Sequence, residues 1–275
     1  MSYARPATVN EAIRILQSGD ARVLAGGTDV YPATQAQALS GPVVDLTAIP
    51  ALHGITRTDA CLRIGACTTW SGIAEATLPP ALAALQQAAR QVGGRQIQNA
   101  GTVGGNLCNA SPAADGVPPL LACDAAVEVS GTEGTRQLPL GDFITGPRRT
   151  ALGRGDILTA ILIPESGLAG SSTFLKLGAR AHLVISITMV AARLMLDGGR
   201  IADVALSVGA CSPVARRLPM VEAMLRGLSP ADAAKRITPD AIAPHLSPID
   251  DIRATAAYRA EAAATLLSRA VGGFA

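Results

Sequence analysis

The stretch Gly101-Thr-Val-Gly-Gly-Asn-Leu-Cys-Asn-Ala-Ser-Pro-Ala-Ala-Asp115 decides the reading of this chain. Adjacent glycines at 104 and 105 permit positive φ and remove the Cβ that would block close approach of a ligand. Thr102 and Asn106 add hydroxyl and amide donors beside them. Ser111 precedes Pro112 and is held extended. Asp115 reads either as an acceptor for sugar hydroxyls or as a cap on Gly116-Val-Pro-Pro-Leu-Leu121. An earlier glycine turn, Val23-Leu-Ala-Gly-Gly-Thr-Asp-Val30, also follows an apolar run. Successive N–H groups in such turns form a concave nest for an anion. Two nests meeting on one ligand suit a pyrophosphate; the other reading is a pair of ordinary tight turns. Neither segment is a GxGxxG or GxxxxGK[ST] motif.

Working outward, Thr8-Val-Asn-Glu11 predicts a capping box in front of a helix through Leu16. Strands are predicted at 22–25, 43–46, 61–65, 125–129 and 157–163. A helix opened by Pro79 and Pro80 runs to Gly93-Gly94, with Leu82, Leu85, Ala89 and Val92 at helical spacing. The small-residue run 167–172 marks a domain boundary. Beyond it, 183–196 and 201–208 read as strands joined by Asp197-Gly-Gly199, a hairpin signal. Helices are predicted over 214–225, over 229–236 with Ser229 as cap, and over 254–271. The class is α+β in two parts.

Composition narrows the function. Of 275 residues, 49% are hydrophobic and 16% charged, so the chain forms a core and is not disordered. Net charge is +2 with scattered arginines, which gives no nucleic-acid footprint. The longest apolar run, Leu183–Ala192, is about half of the roughly twenty residues a membrane span needs. Five cysteines without a CxxC pair argue against a disulfide framework, a zinc site or a protein-held iron–sulfur cluster. The start has no signal-peptide core, so a cytoplasmic protein is expected.

VLAGGTDV at 23–30, GTVGGNLCNASPAADGVPPLLACDA at 101–125 and FLKLGAR at 174–180 resemble the FAD-binding (medium) subunit of molybdenum hydroxylases, the xanthine dehydrogenase and carbon monoxide dehydrogenase family. The resemblance runs on through 204–225 and 258–271. It implies a two-lobed, vanillyl-alcohol-oxidase-like FAD-binding domain at 1–167, with lobes at about 1–54 and 55–167. A small C-terminal domain of antiparallel sheet plus helices follows at 168–275.

The resemblance further implies that Val23, Leu24, Ala25, Gly26, Gly27, Thr28, Asp29 and Val30 form a first pyrophosphate loop. Thr102, Val103, Gly104, Gly105 and Asn106 form the second. Ser111 and Asp115 contact FAD, Leu158 lies on the flavin side, and Lys176, one of two lysines in the chain, lies near the isoalloxazine. No catalytic residue and no metal ligand are implied. FAD is expected to bind non-covalently, with Cys108 in the core. Molybdopterin and [2Fe-2S] centres are expected only on a large and a small partner subunit, in a dimer of heterotrimers that passes electrons to NAD or another acceptor. Departures from the family pattern are Gln98, where an arginine is common, and Val92, where some members stack an aromatic. Ala181-His182-Leu183 follows the lysine motif, where His182 reads either as a residue near the flavin edge or as a loop histidine at a strand start. The other class consistent with these residues is a stand-alone flavin oxidoreductase, but the chain shows no acid–base pair for one.

Overall fold

The computed structural model describes residues 3–34, 39–181 and 183–274; His182 lies outside them. Strands β1 (Tyr3–Ala4), β2 (Arg22–Leu24) and β3 (Val43–Asp45) form a parallel sheet in the order β1-β3-β2. Helix α1 (Val9–Gln17) connects the first two. Its cap forms as the sequence predicts: the Glu11 N–H donates to Thr8 Oγ1 at 3.2 Å. The Glu11 carboxylate accepts one residue earlier than expected, from the Ala7 N–H at 2.9 Å. Ala12, Ile13 and Leu16 of α1 pack on Val44, Leu46 and Ile157.

A five-stranded antiparallel sheet follows. It contains β4 (Ile55–Arg57), β5 (Cys61–Gly65), β6 (Ala126–Gly131) and β7 (Gly134–Pro139). The short pair β8 (Ile144–Gly146) and β9 (Arg149–Thr150) precedes its central strand, β10 (Ile157–Pro164). The order is β4-β5-β10-β6-β7. Ile157–Ile163 is buried residue by residue, which explains why it reads as an unbroken apolar run rather than an alternating one. Helices α2 (Trp70–Glu75), α3 (Ala83–Ala89), α4 (Arg95–Ala100), α5 (Val103–Asn109), α6 (Val117–Ala122) and α7 (Leu140–Phe143) belong to this part of the chain. Trp70, Leu82, Leu85, Val103 and Leu120 share its core with Ile64, Val127 and Ile161 of the sheet.

The last part is an antiparallel sheet of β11 (Ser171–Leu177), β12 (Thr188–Asp197), β13 (Arg200–Gly209) and β14 (Arg216–Arg217). It is accompanied by α8 (Pro219–Leu225), α9 (Pro230–Arg236), α10 (Pro239–Ile242) and α11 (Ala256–Gly272). Side-chain alternation along β12 gives the sheet two buried faces. Val190, Ala192 and Leu194 meet the core formed with α8, α9 and α11. Met189 and Ala191 meet Ala84, Ala88 and Ala122 of the preceding part. Arg193, on that second face, donates to the carbonyls of Ala122 at 2.9 Å and Ala169 at 3.2 Å. Polar bonds therefore cross the contact as well as apolar ones.

Two expectations are corrected here. The segment 183–187 is not strand: β12 begins at Thr188, and Leu183 sits at φ +53. The helix expected from Val214 begins at Pro219, because Arg216 and Arg217 pair with Val208 and Ser207 of β13. No helix among the described residues is long and apolar enough to cross a membrane.

Candidate cofactor site

Two adjoining cavities lie beside α5, one of about 530 Å³ and one of about 350 Å³. Val92, Ile97, Asn106, Ala113 and Ile185 border both. The larger is lined by Val23, Ala25, Gly26, Gly27, Thr28, Asp29 and Val30 from the first glycine segment. Thr102, Gly104, Gly105, Asn106 and Ser111 from the second segment, together with Leu158, line it too. Asp115 and Lys176 border the smaller one. The two sequence segments and the distant Lys176 are thus brought to two neighbouring cavities that share five lining residues.

Leu24 and Val103 do not line it. Alternation along β2 turns Leu24 inward onto Leu39 and Val43 while Val23 faces the cavity. Val103 is fully buried in the main core. Leu158 and Lys176, both implied near the flavin, line different cavities.

The glycine segments do different work. In the first, no hydrogen bond is seen among the described residues to the N–H groups of Gly26, Gly27, Thr28 or Asp29. Gly27 has φ +71, and the turn leaves a run of free donors at the cavity wall. That is a nest for an anion. Gly26 is needed for a different reason: a Cβ there would lie 1.8 Å from the Ala100 carbonyl oxygen. The loop rests directly on the α4–α5 junction.

The second segment is not a turn but the start of a helix. Thr102 caps α5, with its hydroxyl accepting from the Gly105 N–H at 3.1 Å. The Val103 and Gly104 N–H groups donate to Thr68 and Ala66 carbonyls at 3.0 and 2.9 Å. The Asn106 N–H donates to the Thr102 carbonyl at 3.1 Å. Its backbone donors are therefore spent, and the second nest expected from the glycines is absent. What it presents instead is an open helix face at Gly105, Cys108 and Asn109, together with the Asn106 side chain. Asn106 Oδ1 is buried and has no hydrogen-bond partner. An unpaired buried acceptor on a residue that borders both cavities fits a ligand carrying hydroxyl donors.

Asp115 is not a free acceptor either. Lys176 Nζ donates to its Oδ2 at 2.6 Å, and the Ser186 hydroxyl donates to its Oδ1 at 2.7 Å. Both ion-pair side chains are under a tenth exposed. Burial pushes the Asp115 carboxyl up, and the Lys176 ammonium and Ser186 hydroxyl pull it back. The lysine charge beside the cavity is therefore largely compensated. Asp115 does not cap α6, whose N-cap residue is Gly116 and shows no side-chain cap.

Sequence reasoning missed Trp70 and Arg148. Trp70, the single tryptophan of the chain, lines the larger cavity. Arg148 is the one cation among the described residues lining that cavity, held at φ +58 by its N–H bond to the Ala110 carbonyl at 2.8 Å. The only signal for Trp70 was its place after Thr69, which caps α2. Cys108, expected in the core, is exposed and opens into the cavity one helical turn beyond Gly105. Gln98 is buried and donates to the Arg90 carbonyl at 2.9 Å, closing the turn between α3 and α4 rather than facing a ligand.

Gly27→Val is expected to weaken binding of a phosphate-bearing ligand. Its Cβ would lie 2.3 Å from the Tyr31 ring. That ring is 55% exposed and can swing away, but the positive φ remains. The strain of about 1–3 kcal/mol predicts roughly a ten- to hundredfold rise in dissociation constant, read by calorimetric titration.

Fit to FAD follows from these features. The free N–H groups of the first loop suit a pyrophosphate, the orphaned Asn106 oxygen suits a ribityl or ribose hydroxyl, and the apolar Val92, Ile97, Leu158 and Ile185 suit aromatic rings. Comparison with known proteins agrees. Residues 1–166 match the family described as FAD binding domain in molybdopterin dehydrogenase, and residues 173–273 match the CO dehydrogenase flavoprotein C-terminal domain. The xanthine dehydrogenase FAD-binding subunit of Escherichia coli O157:H7 is 36% identical, over 77% of this chain and 74% of that one. The carbon monoxide dehydrogenase medium chain of Afipia carboxidovorans is 32% identical, over 98% and 94%. In a solved structure, reconstituted CO dehydrogenase from Oligotropha carboxidovorans, one chain superposes with a TM-score of 0.89 at 28% identity, covering 98% of this chain and 96% of its own. With both parts of the chain matched, this protein belongs to the family of FAD-binding medium subunits of the molybdenum hydroxylases, the xanthine dehydrogenase and carbon monoxide dehydrogenase oxidoreductases.

Proposed function

We propose that this chain holds FAD non-covalently as the electron-transfer subunit of a molybdenum hydroxylase. Its partners are a large molybdopterin subunit and a small [2Fe-2S] subunit, in a dimer of heterotrimers, and the final acceptor is NAD or another oxidant. The observation that carries the cofactor assignment is the run of unpaired N–H groups at Gly26–Asp29 on the cavity wall. The multi-subunit reading is supported by relatives named as medium chains and subunits, several of which this chain matches over nearly its whole length. The gap between the two family matches supports a division of the chain at about residue 167. A cytoplasmic setting is supported by five cysteines that are all free thiols.

When bound, FAD supplies one- and two-electron redox chemistry. The chain's own residues bind and orient it. In this reading Gly26–Asp29 hold the pyrophosphate, and Asn106 and Ser111 accept or donate to hydroxyls. Leu158, Val92, Ile97 and Ile185 exclude water from the rings. The Lys176–Asp115 pair offers a nearly neutral polar contact rather than a free charge.

Non-covalent attachment is tested by acid precipitation of the yellow protein. All flavin should leave with the supernatant; colour retained in the pellet would contradict it. Co-purification of the chain with a molybdenum-containing large subunit and an iron–sulfur small subunit tests the assembly.

A further inference from the structure

Arg259, on α11, is 3% exposed and lines neither cavity. Its guanidinium nonetheless joins the ends of two segments that lead there. Nη1 donates to the carbonyls of Ile187 and of Ala210, the latter at 3.1 Å, and Nη2 donates to Asp251 Oδ1 at 2.7 Å. Next to Ile187 is Ser186, whose hydroxyl holds Asp115. Ala210 sits at φ +61 and donates its N–H to the Pro112 carbonyl at 3.0 Å. Both routes therefore end on one stretch of cavity wall, residues 111–115. Ser111, Ala113 and Ala114 of that stretch line the larger cavity, and Asp115 lines the smaller.

We propose that Arg259 is a positioning residue for the cofactor: from outside the cavity it sets the wall 111–115 through Ile187–Ser186–Asp115 and through Ala210–Pro112. The inference rests on the FAD assignment for its affinity readout, but not for its structural one. A residue such as Ala210 in the left-handed region is held there only where surrounding bonds over-determine it. Arg259 supplies such a bond on the carbonyl side while Pro112 takes the N–H side. A lysine carries the charge but not the fork that reaches two carbonyls and a carboxylate at once.

The test uses the full chain with Arg259→Lys, with Ser186→Ala, and with both. Leu267→Ala serves as control: it empties part of the same C-terminal core on the same helix and makes none of the hydrogen bonds of either route. Amide hydrogen exchange of residues 111–115 is followed without FAD, and FAD affinity is followed by titration. Arg259→Lys should speed exchange in that stretch and weaken FAD by about tenfold. Leu267→Ala should lower the melting temperature while leaving both readouts unchanged. Ser186→Ala removes one hydroxyl only, so it folds, and it should weaken FAD in a way that does not add to Arg259→Lys. Unchanged exchange at 111–115 in Arg259→Lys and Ser186→Ala, equal effects from Leu267→Ala, or strictly additive losses would overturn the proposal. If the unmodified chain takes up no FAD, the cofactor assignment fails, while the exchange measurement still decides the relay.

Discussion

Gly26→Ala is expected to weaken FAD binding by about a hundredfold or more. The new Cβ would fall 1.8 Å from the Ala100 oxygen, 2.6 Å from the Ala100 carbonyl carbon and 3.0 Å from the Gly101 Cα. All three are backbone atoms at the junction of two helices, so no side chain can rotate out of the way. The first loop must lift off the start of α5, and that contact is what holds its free N–H groups at the cavity. Overpacking of this kind costs about 1–3 kcal/mol. If the loop takes up the upper end of that strain, affinity falls about a hundredfold or more. The free protein should melt earlier, and added FAD should restore little of the loss. Gly27→Val is the milder change, because its steric conflict is with a mobile ring.

Lys176→Met is expected to be the second severe change, and its main effect is on stability. It leaves the Asp115 carboxylate buried with only the Ser186 hydroxyl. Removing one partner of a buried pair costs about 3–5 kcal/mol. The direction with pH follows from the carboxyl. Burial already raises it, and loss of the ammonium raises it further. A carboxyl raised in the folded state contributes stability that is present at acid pH and lost as pH rises through the folded value. The variant should therefore approach wild-type stability near pH 4 and fall away toward neutrality. Lys176→Met combined with Asp115→Asn should recover much of the loss at neutral pH. Chemical denaturation at several pH values checks this. A pH-independent deficit, or no rescue by the second substitution, would mean the pair is not ionised.

Much of the fold was legible because local signals and burial agree. Cys61–Gly65 alternates as a half-buried strand and is one with the same bounds. Asp197-Gly-Gly-Arg200 joins two strands whose ends pair, Asp197 with Arg200. β1, β4, β8 and β9, two or three residues each, are too short to show a period; β7 is exposed along nearly its whole length and shows no apolar alternation, and β11 also went unpredicted. The start of α5 reads as a turn in the sequence because its glycines outweigh Thr102, whose capping role is itself a helix signal.

At the site, the sequence located the segments but not their divisions of labour. A motif carried over as a block includes residues such as Leu24 and Val103 that alternation or helical phase turns into the core. It also hides which donors are already used. The spent N–H groups of Val103–Asn106 are satisfied by Thr68, Ala66 and Thr102, and nothing local announces two of those partners. Asp115 and Lys176 lie sixty-one positions apart, so their pairing exists only in the folded chain.

The assignment of the cavity to FAD is tested most directly through Trp70. It is the only tryptophan in the chain, it is 2% exposed, and it lines the larger cavity. Titrating the cofactor-free protein with FAD should quench tryptophan emission to saturation at one FAD per chain, and Gly26→Ala should need about a hundredfold more FAD to reach the same quenching. Emission that does not change with FAD, or that is quenched equally in Gly26→Ala, would contradict the placement of FAD in this cavity.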